Sequence, residues 1–133
     1  MKIGEEIAEF LENGDVLALF GPLGAGKTCL VKGIARYFGI EENVTSPTYT
    51  IVSEYEGKKN GKNLPFYHID AYRLKGDDDF SSMGGEEYIY GRGIAVIEWA
   101  ERISGTLPPH TLTINIEISG ENSRTIEILG GKR

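Results

Sequence analysis

Cysteine is almost missing from this sequence, because Cys29 is the only one among 133 residues. A lone cysteine cannot close an intrachain disulfide or build a metal site from several thiolates, so we expect a reducing compartment. Long apolar runs are also missing. No stretch approaches the roughly 18 apolar residues of a membrane helix, and Gly4, Glu5 and Glu6 interrupt any signal core. These absences favour a cytoplasmic protein without a membrane partner.

Basic residues are in deficit, since 14 Lys and Arg stand against 20 Asp and Glu, for a formal net charge of -6. That balance disfavours non-specific binding to a nucleic-acid backbone and leaves contact with RNA through a partner protein open. Hydrophobic residues make up 40% of the chain and charged residues 26%, close to the globular average, which excludes wholesale disorder. We expect one domain over residues 1–133, because this length suits a single core.

Apolar patterning predicts an alternation of helices and strands. An opening helix carries apolar residues at helical spacing and stops at Asn13-Gly14; these residues are Ile3, Ile7, Phe10 and Leu11. The almost wholly apolar run over 15–20 is typical of a strand buried on both faces, as in a parallel sheet. Further predictions are strands over 49–56, 64–69 and 94–97, a helix over 27–38 capped by Gly39, a turn over 57–63, short helical turns within 75–93, and an antiparallel hairpin over 112–128.

A glycine-rich segment, GPLGAGKT at residues 21–28, satisfies the pattern G-x-x-x-x-G-K-[ST] between a predicted strand and a predicted helix. Glycines let successive backbone N–H groups and the helix N-terminus point at phosphate oxygens. Lys27 adds a positive charge at the β- and γ-phosphates of a nucleotide, and the Thr28 hydroxyl can coordinate Mg²⁺. The plainer alternative is a glycine-rich turn with a solvated lysine, which the flanking elements disfavour. Cys29, the next residue, is expected to be a small buried side chain.

Two acidic residues follow predicted strands and are candidates for holding Mg²⁺ near the phosphates. Asp70 follows the run LPFYHI and Glu98 follows the run IAVI, so both carboxylates are expected at the carboxyl edge of the sheet beside the glycine-rich loop. The alternative for each is an ordinary solvated carboxylate at a strand end. The strand pattern alone does not separate their roles.

Three further residues stay ambiguous on pattern alone. Thr45 lies in a segment of Ser, Thr and Pro after the predicted helix, where P-loop proteins carry a γ-phosphate switch, although such residues also favour ordinary turns. His68 lies inside a predicted strand, which favours a packed or edge histidine over a ligand or a base. Trp99 follows Glu98 directly and either packs in the core or stands beside the nucleotide.

Four blocks of this sequence together resemble the TsaE (YjeE) family of small P-loop ATPases. They are GPLGAGKT at 21–28, TSPTYTIVSEY at 45–55, HIDAYRL at 68–74 and IEWAERI at 97–103. The resemblance spans most of the chain, and the combination is more specific than the glycine-rich loop alone. With the predicted elements it implies an α/β fold of the P-loop NTPase type, a three-layer sandwich whose mixed, largely parallel central sheet carries an antiparallel C-terminal hairpin.

The resemblance also implies a function. The family is the ATPase component of the bacterial machinery that makes N6-threonylcarbamoyladenosine (t6A) at position 37 of tRNAs reading codons that begin with A, and it acts with TsaD and TsaB. For this chain it implies ATP and ADP binding and a weak Mg²⁺-dependent ATPase that its partners stimulate. Contact with tRNA is implied only through the complex.

The same resemblance implies a role for each matching residue. Thr28 and Glu98 would hold Mg²⁺, and Asp70 would act in hydrolysis with Lys27. Thr45 falls in the switch-like segment, and Trp99 falls beside the nucleotide. The residues implied to contact the nucleotide are Leu23, Gly24, Ala25, Gly26, Lys27, Thr28, Cys29, Thr45 and Trp99.

Two other functions share the phosphate loop. A small P-loop kinase acting on a small-molecule acceptor needs an arginine-bearing lid and a second pocket, and the short stretch after Glu98 leaves little room for them. A nucleotide-gated binding module would bind ATP tightly, hydrolyse it slowly and change its partner affinity. Efficient phosphate transfer also needs a further cation, for which Arg73 is the best internal candidate, ahead of Arg36 and Arg92.

Overall fold

A computed structural model describes residues 2–21, 27–41, 52–120 and 123–130 of the chain. Its strands are β1 (Val16–Phe20), β2 (Val52–Lys59), β3 (Lys62–Asp70), β4 (Ile94–Glu98), β5 (Leu112–Gly120) and β6 (Ser123–Gly130). Its helices are α1 (Lys2–Ala8), α2 (Lys27–Tyr37), α3 (Asp77–Ser82) and α4 (Glu86–Ile89), and a 3₁₀ helix covers Ala100–Ile103. No helix within these ranges is long and apolar enough to cross a membrane.

The strands form one sheet in the order β2-β3-β4-β1-β5-β6. β3, β4, β1 and β5 run parallel to one another, while β2 and β6 pair antiparallel at the two edges. β1 and β4 occupy the centre of the sheet, and their burial on both faces accounts for their continuous apolar composition. The predicted α/β class, the largely parallel sheet and the antiparallel C-terminal hairpin are confirmed.

Helices cover both faces of the sheet, which gives the three predicted layers. Alternate residues of β1 show the division: Leu17 and Leu19 belong to the core under α1 and α2, whereas Val16 and Ala18 belong to the core under α3, α4 and the 3₁₀ helix. The carboxyl end of β1 therefore lies between two helical layers, and the chain leaves it toward the start of α2.

The end of α2 agrees with the predicted glycine cap. Gly39 has a φ of 76°, a left-handed conformation that glycine adopts without steric cost. The Ile40 N–H donates to the carbonyl oxygen of Ala35 at 3.1 Å, and the Gly39 N–H donates to that of Arg36 at 3.0 Å. These bonds satisfy carbonyl groups that the last turn of a helix leaves without partners.

The opening helix is shorter than predicted, because it ends at Ala8. Turn-type bonds from the N–H of Phe10 to Ile7 and from the N–H of Leu11 to Ala8 follow the helix. This tighter path brings Leu11 into the core and leaves Phe10 69% exposed. The apolar spacing that included Phe10 was therefore wrong about the buried face at this position.

The turn predicted over 57–63 is also shorter in the structure. Only Asn60 and Gly61 form it, with φ values of 53° and 78°. Positive φ at both central positions is the type I′ geometry, which matches the twist of a hairpin. β2 and β3 consequently stay paired as far as Lys59 and Lys62, although this polar end is solvated.

Candidate functional site

Part of the predicted site lies outside the described residues. The four loop residues Leu23, Gly24, Ala25 and Gly26 and the switch residue Thr45 belong to this part. The described part contains both ends of the loop, Gly21 and Lys27. It also contains the predicted residues Thr28, Cys29, Asp70, Glu98 and Trp99.

Gly21 turns the chain away from β1 at a place where a larger residue does not fit. Its φ is 149°, and a Cβ on it would lie 2.6 Å from the carbonyl oxygen of Ile116 in β5. A side chain would push the start of the loop off the neighbouring strand. The packing of the sheet itself thus requires the first glycine of the motif.

Lys27 begins α2 and is 7% exposed. Its Nζ donates a hydrogen bond of 2.9 Å to the carbonyl oxygen of Gly21, at the other end of the loop. The same Nζ lies 4.8 Å from the centroid of the Trp99 ring. A carbonyl dipole and an aromatic face attract an ammonium group but do not neutralise it. These contacts hold a buried positive charge where the loop meets the helix.

Trp99 leaves β4 in a strained conformation, with φ 60° and ψ 38°. The left-handed region costs a residue other than glycine about 1–2 kcal/mol, and such strain is concentrated at functional sites. Its ring centroid lies 4.9 Å from that of Tyr72, and the Cζ of Arg102 lies 5.6 Å from the centroid of Tyr72. The indole therefore stands between the buried Lys27 ammonium and an exposed tyrosine.

Asp70 and Glu98 end neighbouring parallel strands and stand opposite each other in the register of β3 and β4. Glu98 is 6% exposed, and Asp70 is half-buried. The Oδ1 of Asp70 accepts a hydrogen bond of 3.0 Å from the N–H of Tyr72, which shapes the turn after β3. Glu98 is also opposite Leu19 at the end of β1. Both acids therefore lie at the carboxyl edge that leads into the loop.

His68 is fully buried in β3, and its Nε2 lies 2.6 Å from the Oε2 of Glu98. Leu64, Phe66 and His68 alternate along β3, and the first two pack in the core under α2. His68, Asp70 and Glu98 thus belong to the same face of the sheet as α2. The geometry brings a buried histidine into direct contact with one of the two candidate metal ligands.

Comparison with known proteins identifies the family. The family model described as threonylcarbamoyl adenosine biosynthesis protein TsaE matches residues 1–126. The chain belongs to the TsaE family. A tRNA threonylcarbamoyladenosine biosynthesis protein TsaE from Treponema pallidum is 43% identical over 125 residues, which cover 94% of this chain and 89% of that protein. The protein of the same name from Bacillus subtilis is 44% identical over 124 residues, which cover 93% and 75%.

The fold comparison agrees with the sequence comparison. The crystal structure of YdiB from Bacillus subtilis matches with a TM-score of 0.77 and 38% sequence identity, over 98% of this chain and 78% of that chain. The resemblance to TsaE that four sequence blocks carried is confirmed, together with the P-loop NTPase type of fold. The site residues that the resemblance implied stay predictions on this framework.

Two of the predicted TsaE site residues lie in the first turn of α2. Thr28 is half-buried there, and its place as an Mg²⁺ ligand stays a prediction. Cys29 is exposed, so its expected burial as a small hydrophobic side chain is wrong. The buried face of α2 carries Lys27, Leu30, Val31 and Ile34, and Cys29 lies away from this face at helical spacing.

The contact of His68 in this TsaE family member is what sequence reasoning missed. Its packed environment was predicted correctly, but its bond to Glu98 joins residues that are 30 apart in sequence. One signal was available, since the H-x-D spacing of His68 and Asp70 places both on one face of a strand. That spacing predicts the face of the strand but not the contact with Glu98, because the register between β3 and β4 is a tertiary feature.

Proposed function

We propose that this chain is the ATP-hydrolysing component of the machinery that makes N6-threonylcarbamoyladenosine in tRNA. The names of its relatives from Treponema pallidum and Bacillus subtilis state that biosynthetic role. The observation that carries the ATPase assignment is the buried Lys27 ammonium, held between Gly21 and Trp99 at the edge where two acids end their strands. TsaD and TsaB are its proposed partners in the cytoplasm, and it meets tRNA through their complex.

ATP binding would replace the neutral contacts of Lys27 with charged ones. Phosphate oxygens form charge-assisted hydrogen bonds with an ammonium group, about twice as strong as bonds between neutral groups. The first turn of α2 carries no acidic side chain that would repel the anion. Its backbone N–H groups and the helix dipole favour negative charge at the same place. Lys27 and the start of α2 would thus bind the β- and γ-phosphates together.

The donors at this edge fit Mg²⁺ bound together with ATP. Within the described ranges, no group of three or more His, Cys, Asp or Glu side chains could hold a metal ion by itself. Mg²⁺ commonly keeps several waters and takes only one or two protein carboxylates plus substrate phosphates, so a sparse donor set suits it. Thr28 and Glu98 would hold the ion. When bound, Mg²⁺ supplies charge neutralisation at the phosphate oxygens.

Asp70 is the proposed acceptor of the proton from the attacking water. Between described residues its hydrogen bond is the one from Tyr72 to Oδ1, so Oδ2 can accept a bond from water. The water oxygen forms a bond to the γ-phosphorus while the bond to the β–γ bridging oxygen breaks. ADP keeps the bridging oxygen with its electron pair, and the water proton passes to Asp70.

Slow turnover by the isolated chain is expected because none of the three arginine candidates is buried beside Lys27. Arg92 donates to the carbonyl oxygen of Asn63, at the amino ends of β3 and β4. Arg36 is exposed in the last turn of α2, opposite the helix end that carries Lys27. Two of the three internal candidates are thus remote from the loop, and the third, Arg73, is exposed. A partner that orders the γ-phosphate region with an arginine can raise the rate about 10³-fold or more.

The kinase alternative gains no comparable support. The described residues after Glu98 are largely taken up by the 3₁₀ helix and the hairpin of β5 and β6. Neither element is a lid that could close over a transferred phosphate. Phosphoryl transfer to an added acceptor, in place of water, would support the kinase function.

Steady-state phosphate release tests the proposal. It is measured for the chain alone and with saturating TsaB and TsaD, after complex formation has been confirmed independently. We expect slow release alone and stimulation by the partners. The variant Arg92→Ala, changed at the opposite end of the sheet, should keep the stimulation. Equal rates with and without bound partners would contradict the proposed activation.

A further inference from the structure

A buried contact joins His68 to Glu98 at the end of β4. His68 has no exposed surface, and Glu98 is 6% exposed. The Nε2 to Oε2 distance is 2.6 Å, slightly below the usual range for a nitrogen donor and a carboxylate. In the register of the parallel pair, His68 lies opposite Val96, two residues before Glu98. The contact therefore runs diagonally across two adjacent strands.

The partners of the imidazole assign its hydrogen. An ionised carboxylate only accepts hydrogen bonds, so Nε2 carries the hydrogen and donates it to Glu98. Within the described part of the chain, the buried Nδ1 has no hydrogen-bond partner. With or without a hydrogen, this atom is a buried polar group without a partner in that part of the chain. The contact thus requires the hydrogen on Nε2, which makes His68 the donor and Glu98 the acceptor.

A buried donor of this kind restricts the carboxylate that it contacts. The His68 ring lies on the face packed under α2, where its strand neighbour Phe66 is 1% exposed and Val96 is fully buried. Close packing on this face limits rotation of the ring. A charge-assisted bond to Oε2 then limits rotation of the Glu98 carboxylate about its last bond. The strand end and the histidine together define one orientation of the acid.

We propose that His68 is a positioning residue for Glu98, which it orients for binding Mg²⁺ together with the nucleotide. The inference rests on the proposed function, because it takes Glu98 as the Mg²⁺ ligand. Outer partners that hold ligating groups in place typically contribute about 10–100-fold to metal affinity. A merely structural pair would contribute to folding stability and leave the response to Mg²⁺ unchanged.

The test compares two amides at position 68. In His68→Gln the side-chain amide nitrogen reaches close to the place of Nε2 and can donate to Glu98. In His68→Asn the amide is too short to do so, although its chemistry is the same. The dissociation constant of ADP is measured by calorimetry with Mg²⁺ and with a chelator, and the ratio of the two constants gives the Mg²⁺ enhancement. Phe66→Leu, a packing change on the same face of β3, is the control.

We expect His68→Asn to lose about 10–100-fold of the Mg²⁺ enhancement while keeping the affinity for ADP in chelator. His68→Gln and Phe66→Leu should keep the enhancement of the wild type. If His68→Asn does not fold, His68→Phe removes the donor with similar volume and should show the same loss. A wild-type enhancement in a folded variant without the donor overturns the positioning role alone. If the ADP affinity of the wild-type chain is the same with Mg²⁺ and with chelator, the metal assignment of the proposed function is overturned as well.

Discussion

The two ends of the parallel strands hold their polar groups in different ways. At the amino ends, the contacts that join the segments before the strands involve backbone groups, Asn13 and His110, whereas the charged side chains there, such as Asp15 and Arg92, are not buried. The Gly14 N–H donates to the Gly93 carbonyl at 2.8 Å, the Gly93 N–H donates to Asn13 Oδ1 at 2.6 Å, and His110 Nε2 lies 3.0 Å from the Gly14 carbonyl. These bonds connect the segments before β1, β4 and β5, and no charged side chain described at this end is buried.

At the carboxyl ends, polar side chains are buried. Lys27, His68 and Glu98 are the polar or charged residues buried within the described ranges, and all three lie toward this end. Trp99 adds backbone strain at the same place. Burying charge is unfavourable unless each group finds a partner. One end of the sheet is thus arranged for stability, whereas the other retains unfavourable features that a bound nucleotide would compensate.

Replacing Asp70, at the carboxyl end, should have the largest effect on activity and little effect on stability. Asp70→Asn removes the proton acceptor but keeps a polar side chain that can accept from Tyr72. Phosphate release in the presence of TsaB and TsaD should fall about 10²–10⁴-fold, while ATP affinity and the unfolding midpoint stay near those of the wild type.

A carboxylate at the opposite end provides the control for Asp70. Asp15 precedes β1, and its Oδ2 accepts a hydrogen bond of 2.7 Å from the N–H of Glu12. Asp15→Asn keeps that acceptor and should leave turnover unchanged. Wild-type turnover in Asp70→Asn, measured with partners bound, would refute its role in hydrolysis.

Removing the Lys27 ammonium should weaken ATP binding with little cost to the fold. Truncating one member of a desolvated charged pair typically costs about 2–5 kcal/mol of binding free energy. The free energy of unfolding should not fall comparably, because the described contacts of Nζ are a carbonyl oxygen and an aromatic ring. Calorimetric titration of ATP into Lys27→Ala measures the affinity, and thermal unfolding measures the stability.

The matched control for Lys27 lies on the same helix. Lys32 is exposed on α2, so Lys32→Ala changes the net charge equally and should bind ATP with nearly wild-type affinity. A folded Lys27→Ala protein that binds ATP as tightly as the wild type would remove the phosphate-loop assignment.

The contrast between the two ends also explains how far the sequence could be interpreted. The apolar runs before Glu98 and before Gly21 predicted buried strands, because burial on both faces leaves a continuous pattern. The placement of Asp70 and Glu98 at one edge then followed from the shared direction of parallel strands. Their opposition in the register of β3 and β4 confirms that step.

What the sequence could not supply depends on tertiary packing. The helix end at Ala8 follows from how Leu11 enters the core, which helical spacing does not reveal. The bond between His68 and Glu98 requires the register of two strands that are joined by the region of α3 and α4. The Lys27 to Trp99 contact similarly joins a helix start to a turn in a strained conformation. Local patterns predict which face a residue occupies but not which distant residue it meets.

A substitution at Gly93, at the amino end of β4, should lower stability and leave nucleotide binding unchanged. Gly93 has a φ of 112°, and a Cβ there would lie 2.7 Å from the carbonyl oxygen of Pro65. Gly93→Ala should therefore lower the free energy of unfolding by about 2–3 kcal/mol, within the usual range for strain at a positive φ. Urea unfolding measures this loss, and the ADP affinity of the folded fraction should be unchanged.

Gly76 is the control for this substitution. Its φ of 166° is extended, and a Cβ there would meet nothing within 4 Å. Gly76→Ala should change stability by no more than about 0.5 kcal/mol. Equal losses in Gly76→Ala and Gly93→Ala would show that the close approach to Pro65 does not set the cost.

The smallest expected effect is spectroscopic and concerns Trp99, the one tryptophan in the sequence. A cation over an indole face contributes about 0.5–1 kcal/mol, rising to about 2 when desolvated, and it perturbs the ring directly. Saturating ADP should draw the Lys27 ammonium, now 4.8 Å from the ring centroid, toward phosphate and so shift the Trp99 emission. Lys27→Ala is the control, because its emission should differ from that of the wild type before any nucleotide is added. If wild-type emission stays fixed at an ADP concentration that calorimetry shows to be saturating, the indole does not report on the phosphate site. Lys27 would then belong to the phosphate site, whereas the neighbouring rings of Trp99 and Tyr72 would not respond to the bound nucleotide.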